Sequence, residues 1–268
     1  MTEIKNIIAV ASGKGGVGKS TVAVNLALAL MKEGASVGIL DADIYGPSQP
    51  LLLGVTEQPE VTPEKKFYPI IKHGIQSMSI GYLIDVNTPM VWRGPMVSGA
   101  LQQLFNDTLW DKLDYLIIDL PPGTGDIQLT LSQKIPVSGA VIVTTPQDLA
   151  LLDARKAVAM FQKVRVPVLG VVENMSLHRC SQCGHLESIF GEGGGERLAA
   201  EYKIEMLGAL PLDIKIRQQA DSGCPTVIAE PNSEIALQYR EIARKVAAEL
   251  EALAKKKSKM PKIVIENK

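Results

Sequence analysis

Gly13, Gly18, Lys19 and Ser20 stand in the order G-x-x-x-x-G-K-S within VASGKGGVGKSTVAVN, residues 10–25. That spacing suits phosphate chemistry. Backbone N–H groups of Gly15, Gly16, Val17 and Gly18 can close around phosphate oxygens, and Lys19 brings positive charge to the β and γ oxygens. The Ser20 hydroxyl is a ligand for Mg²⁺, and Thr21 begins the helical pattern that follows. Such a site also needs a carboxylate at the end of a neighbouring strand. Asp119 in YLIIDLPPG meets that need, and Pro121, Pro122 and Gly123 then stop the strand and form a loop able to sense a γ-phosphate. Asp41 and Asp43 in LDADIYGP follow another strand. Either suits orienting an attacking water, and either equally suits a turn or a helix cap.

Cys180 and Cys183 in HRCSQCGH offer two thiolates at the spacing of iron–sulfur or zinc sites, which normally use four ligands. Several readings are open. A redox pair would sit at a helix N-terminus, and CSQCGHLESIFG opens no evident helix. His178, Cys180, Cys183 and His185 have the ligand types for zinc, but crowd a tetrahedral ion; zinc shared between two chains is roomier, since thiolates suit zinc and iron alike. The third cysteine, Cys224, reads as a small structural residue and His73 as a solvated surface residue. FGEGGGERLA lacks the Lys-Ser ending of a phosphate loop and reads as a flexible hinge; Arg93 in WRGPM reads as a surface or structural ion-pair residue.

The elements that must hold these residues alternate. Apolar strands are expected at Ile7–Ala11, Val37–Leu40, Tyr115–Asp119, Ala140–Thr144, Val168–Val172 and Met206–Leu210, with an extra one at GIQSMSI. Helical periodicity marks Thr21–Lys32, Val97–Leu109, Leu149–Val164, Gly195–Tyr202 and Ser233–Lys255. The expectation is an α/β fold: a single domain with a mostly parallel sheet and helices on both faces. It covers residues 5–254, with the C-x-x-C loop at 176–190 and a basic, solvated tail at 255–268. With 28 Lys and Arg against 29 Asp and Glu, the charge balance gives no reason to expect nucleic acid or a membrane surface as partner. No secretory leader or membrane span is evident, and three cysteines make no disulfide framework, so a reducing cytoplasm is expected.

GKGGVGKST with its early Lys14, DAD and DLPPG resemble the deviant Walker A ATPases, the class of MinD, ParA and the nitrogenase iron protein. The resemblance implies a nucleotide-sandwich homodimer in which Lys14 reaches the partner's phosphates, acting like an arginine finger in trans. DADIYGPSQP, WRGPM, DLPPGTGD, TTPQDLALLDARKA, VENMS, C-x-x-C and FGEGGGERLA, in that order over about residues 5–230, are similar to the Mrp/ApbC family of iron–sulfur cluster carriers. That resemblance implies a P-loop NTPase binding ATP and Mg²⁺, with Ser20 and Asp119 on the metal and Lys14, Lys19 and Asp43 promoting hydrolysis. It puts Asn174 against adenine with Pro211 and Asp213 nearby. A [4Fe–4S] cluster would bridge Cys180 and Cys183 of both protomers before passing to apo iron–sulfur proteins. The alternative is a MinD- or ParA-like positioning ATPase with zinc or a structural C-x-x-C.

Overall fold

Eight strands share one sheet in the computed structural model, which describes residues 4–83, 94–180 and 182–258. In chain order the elements are β1 (Ile4–Ala11), α1 (Lys19–Lys32), β2 (Val37–Asp41), α2 (Gln49–Leu53), β3 (Ile70–Lys72), β4 (Ile75–Ser79), a 3-10 turn (Ile80–Tyr82), α3 (Gly94–Asp107) and β5 (Leu113–Asp119). There follow α4 (Asp126–Lys134), β6 (Gly139–Thr144), α5 (Asp148–Lys163), β7 (Val168–Glu173), β8 (His178–Arg179), β9 (Leu186–Glu187), α6 (Gly194–Tyr202), β10 (Glu205–Ala209), α7 (Ile214–Asp221), α8 (Thr226–Ala229) and α9 (Glu234–Ser258). The spatial order is β10-β7-β6-β1-β5-β2-β4-β3; every neighbouring pair is parallel except β3 with β4. β8 and β9 form a separate antiparallel hairpin.

The core strands are apolar at nearly every position because helices cover both faces. Ile7–Ala11 of β1 and all of β6 are buried. Helix α1 is buried from Val22 to Leu30, between the sheet and α9. Its alanines allow that close approach, and Glu33 just beyond its end accepts from Arg240 at 2.6 Å and Arg244 at 3.0 Å on α9. Asp41, Asp119, Thr144 and Glu173 therefore end four parallel strands on the same side, where ligands bind in folds of this type.

Each expected strand and helix is present, with shifted ends. The second helical pattern, α3, stops at Asp107 instead of Leu109, because Leu109 N–H turns to the Phe67 carbonyl at 2.8 Å. GIQSMSI forms β4. Helix α9 continues to Ser258, into the expected tail. The sequence reading did not foresee α2, β3, α4, α7, α8 or the β8–β9 hairpin. WRGPM's Arg93 lies outside the described residues. Among the described residues no helix is long and apolar enough to cross a membrane.

Candidate functional site

The loop between β1 and α1 is closed by tight backbone contacts. Gly18 caps α1 with φ +81°, and a Cβ there would stand 2.2 Å from Asn174 Nδ2. On the other flank, a Cβ on Gly13 would lie 2.1 Å from the Asp153 carbonyl carbon of α5. Val17 is buried, and its carbonyl accepts from Asn174 Nδ2 at 2.9 Å. The loop encloses a cavity of about 260 Å³, lined by Lys14, Gly15, Gly16, Gly18, Lys19, Ser20 and Thr21, with Asp43, Ser48 and Leu52 opposite. Free N–H groups at the start of α1 make this an anion site.

Beneath the cavity lies a buried polar network. Lys19 Nζ donates to Asp119 Oδ1 and, at 3.0 Å, to Ser20 Oγ. Gln49 Nε2 donates to Asp119 Oδ2 at 2.8 Å and to the Ser20 carbonyl at 3.2 Å. The two acids of DAD separate here. Asp41 is fully buried and accepts from the N–H groups of Asp43, Ser48 and Gln49, each at 3.1 Å, and from Ser79 Oγ at 3.0 Å. It therefore organises the 43–49 segment and has no path to solvent. Burial, reinforced by the adjacent Asp119, pushes its pKa up to about 7. Asp43 lines the cavity; burial also raises its pKa, opposed in part by the Lys19 charge.

A second cavity of about 310 Å³ shares Gly18, Thr21 and Leu52 with the first. Asn174, Pro211 and Asp213, the residues that the resemblance assigns to the base, all line it. Met175, Ile216 and Arg217 line it too, and sequence reading missed them. The available signal was Asp213 as N-cap: its Oδ1 accepts from Lys215 N at 2.7 Å and opens α7. Asn174 faces the cavity while one of its amide hydrogens is committed to Val17.

Cys180 and Cys183 sit at the tip of the β8–β9 hairpin, tied by Cys180 N–H to His185 O and Gly184 N–H to Cys180 O, each at 2.9 Å. Both thiols are free, with Cys183 exposed. Backbone N–H groups of Cys183, then Gln182, lower the Cys180 pKa and favour thiolate. A hairpin tip is not a helix N-terminus, which removes the geometry of a thioredoxin-type pair. Among the described residues no three His, Cys, Asp or Glu side chains converge on a metal position, so the four ligands of a one-chain zinc knuckle do not assemble. His178 is instead engaged through Nδ1 with the Leu212 carbonyl at 3.1 Å. With Leu212 N–H to Leu177 O at 2.8 Å, this joins the hairpin to the wall of the second cavity.

Two minor expectations change. His73 is half-buried, its Nε2 bonded with the Gly223 carbonyl at 2.9 Å. Two of the glycines of FGEGGGERLA are packed: Gly195 N–H donates to buried Glu173 at 2.6 Å, and a Cβ on Gly194 would meet Leu151 at 2.8 Å. Cys224 is partly buried.

The ParA family described as NUBPL iron-transfer P-loop NTPase matches residues 3–247. The chain belongs to this family. It is 67% identical over 245 residues to the iron-sulfur cluster carrier protein of Pseudomonas fragi, covering 91% of this chain and 85% of the relative. The mouse iron-sulfur cluster transfer protein NUBPL is 49% identical, over 93% of this chain and 79% of the relative. Among solved structures, a nucleotide-binding protein from Archaeoglobus fulgidus in complex with ADP superposes with a TM-score of 0.74 at 41% identity, covering 86% of this chain and 90% of that one. The cell division ATPase MinD of Pyrococcus furiosus gives 0.70 at 25% identity, over 91% and 99%. As a P-loop NTPase of this iron-transfer family, the chain combines a phosphate loop, a buried acid network and a pair of free thiols at a hairpin tip.

Proposed function

We propose that the chain is an ATP-hydrolysing iron–sulfur cluster carrier, acting as a cytoplasmic homodimer that delivers a [4Fe–4S] cluster to apo iron–sulfur proteins. The cysteine hairpin carries this reading. It presents two free thiols at an exposed tip, half of the usual ligand set, and a twofold partner supplies the other two. Exposed Leu149 and Leu152 on α5, just before the Asp153 that abuts Gly13, supply an apolar surface beside the phosphate loop for that partner. The carrier name of the Pseudomonas fragi relative supports the same conclusion.

The residues fit Mg²⁺: Lys19 already places a cationic group between Ser20 Oγ and Asp119 Oδ1, oxygens that suit a hard divalent ion. When bound, Mg²⁺ supplies charge neutralisation at the β and γ oxygens. Loop N–H groups from Gly15 to Thr21 bind the phosphates, and Lys19 exchanges its carboxylate for a phosphate oxygen. Asp43, facing the cavity, orients the attacking water, while Lys14 reaches the partner's phosphates. Asn174, Pro211 and Asp213 seat the adenine. No nucleic acid or membrane enters this scheme.

Anaerobic reconstitution with iron and sulfide tests it, read by iron per dimer, absorbance and mass in solution with and without ATP. About four irons per dimer, lost in the Cys180→Ala, Cys183→Ala variant, is the expected result. Zinc alone, or iron retained without the cysteines, overturns it. Co-sedimentation with liposomes or DNA in the presence of ATP would mark a positioning ATPase instead.

A further inference from the structure

The motifs that signal a nucleotide site say nothing about Gln49, yet the tertiary structure puts this side chain at the centre of the acid network. It is fully buried. One end of its amide faces two acceptors, Asp119 Oδ2 at 2.8 Å and the Ser20 carbonyl at 3.2 Å, so that end is the NH₂ group. The other end, Oε1, is buried with no hydrogen-bond partner among the described residues. Its backbone is fixed as well: Gln49 N–H donates to Asp41 Oδ2 at 3.1 Å, as does Ser48 N–H. One residue thus connects the last residue of β2, the last residue of β5, and the serine that follows Lys19.

Asp119 has two carboxylate oxygens with different partners. Oδ1 faces the Lys19 ammonium and, through it, Ser20 Oγ; Oδ2 is held by Gln49. When Lys19 turns to phosphate, Oδ1 is released and Gln49 remains the side chain that fixes the carboxylate plane. A fully buried carboxylate without such a donor would be free to rotate toward other N–H groups. Groups that hydrogen-bond a metal-ligating carboxylate set its orientation and typically change metal affinity by about 10–100-fold.

We propose that Gln49 is a positioning residue for the magnesium site, holding Asp119 by Oδ2 so that Oδ1 and Ser20 Oγ are presented together to the metal. The proposal rests on the nucleotide reading above and extends it to a residue that touches neither nucleotide nor metal. Glu is nearly isosteric with Gln but supplies no N–H and sets a carboxylate against Asp119; Leu fills similar space without any polar atom.

The test uses the full chain with Gln49→Glu and Gln49→Leu. Binding of a fluorescent ADP analogue is measured in EDTA and across a Mg²⁺ titration, together with ATP hydrolysis across the same titration and the thermal midpoint without nucleotide. The expected result is a Mg²⁺ half-saturation raised about tenfold or more in each folded variant, with nucleotide affinity in EDTA within about twofold of the parent. An unchanged Mg²⁺ half-saturation in either folded variant overturns the proposal. So does an equal loss of nucleotide binding with and without Mg²⁺, since that marks a general packing role. If the parent chain itself binds no nucleotide, the failure belongs to the nucleotide reading.

Discussion

Asp41 and Asp119 lie side by side in register on β2 and β5, and neither carboxylate reaches solvent. Lys19 pairs with only one of them, Asp119. Asp41 has no such cation, and burial, reinforced by the adjacent Asp119, pushes its pKa up to about 7. The nucleotide site is thus built over a pair of acids that the fold holds together at a cost, balanced by one lysine and by the N–H groups of the 43–49 segment.

This arrangement has a signed pH dependence. A buried acid whose pKa rises from 3.8 to about 7 on folding binds its proton more tightly in the folded chain. Its contribution to stability is complete below about pH 4 and declines as pH rises toward 7. The decline is on the order of a few kcal/mol, since one pKa unit is worth about 1.4 kcal/mol. In Asp41→Asn the thermal midpoint should be lower, yet the downward slope between pH 4 and 7 should largely vanish. Thermal unfolding followed across that range checks it.

Lys19→Met should be harmful in two separable ways. It removes the charge offered to phosphate, so nucleotide binding should be abolished. It also leaves Asp119 buried beside Asp41 without a cation, and breaking a buried pair by removing one partner costs about 3–5 kcal/mol. Calorimetric nucleotide titration and denaturant unfolding read the two losses independently.

Gly18 and Asn174 should behave as a coupled pair. Gly18→Ala brings its Cβ against Asn174 Nδ2 at a backbone φ of +81°, and should cost about 1–3 kcal/mol. Asn174→Ala removes the clash partner and the bond to Val17 O, weakening nucleotide binding about tenfold. The double variant should be more stable than the sum of the single losses by about 1 kcal/mol, because the steric part is counted once. A double-mutant cycle by chemical denaturation gives that coupling.

The hairpin tip should be dispensable for the fold. Cys183 is exposed and both thiols are free, so Cys180→Ala, Cys183→Ala should shift stability by less than about 0.5 kcal/mol and leave ATP hydrolysis measurable while iron is lost. Lys14→Ala should instead spare iron uptake into the reduced protein and abolish ATP-dependent change in mass, as followed by light scattering.

What the sequence determined by itself was local. The phosphate loop is read from a fixed spacing, and the six main strands from apolar runs that must be covered on both faces. Asp119 is legible because the run Leu116–Ile118 ends on it. Short elements were not legible: α2 has five residues and β8 two, too few for any periodicity to register. Nor could spacing choose between Asp41 and Asp43, which are two residues apart in one acidic stretch. Strand register separates them in space, setting Asp41 beside Asp119 in the core and leaving Asp43 on the cavity wall. Gln49 became part of the site by the same route, because its partners Ser20, Asp41 and Asp119 come from three distant parts of the chain. Chain-local pattern specifies which residues can bind phosphate; only packing of β2, β5 and α2 against one another specifies which polar groups stand behind them, and in which charge state.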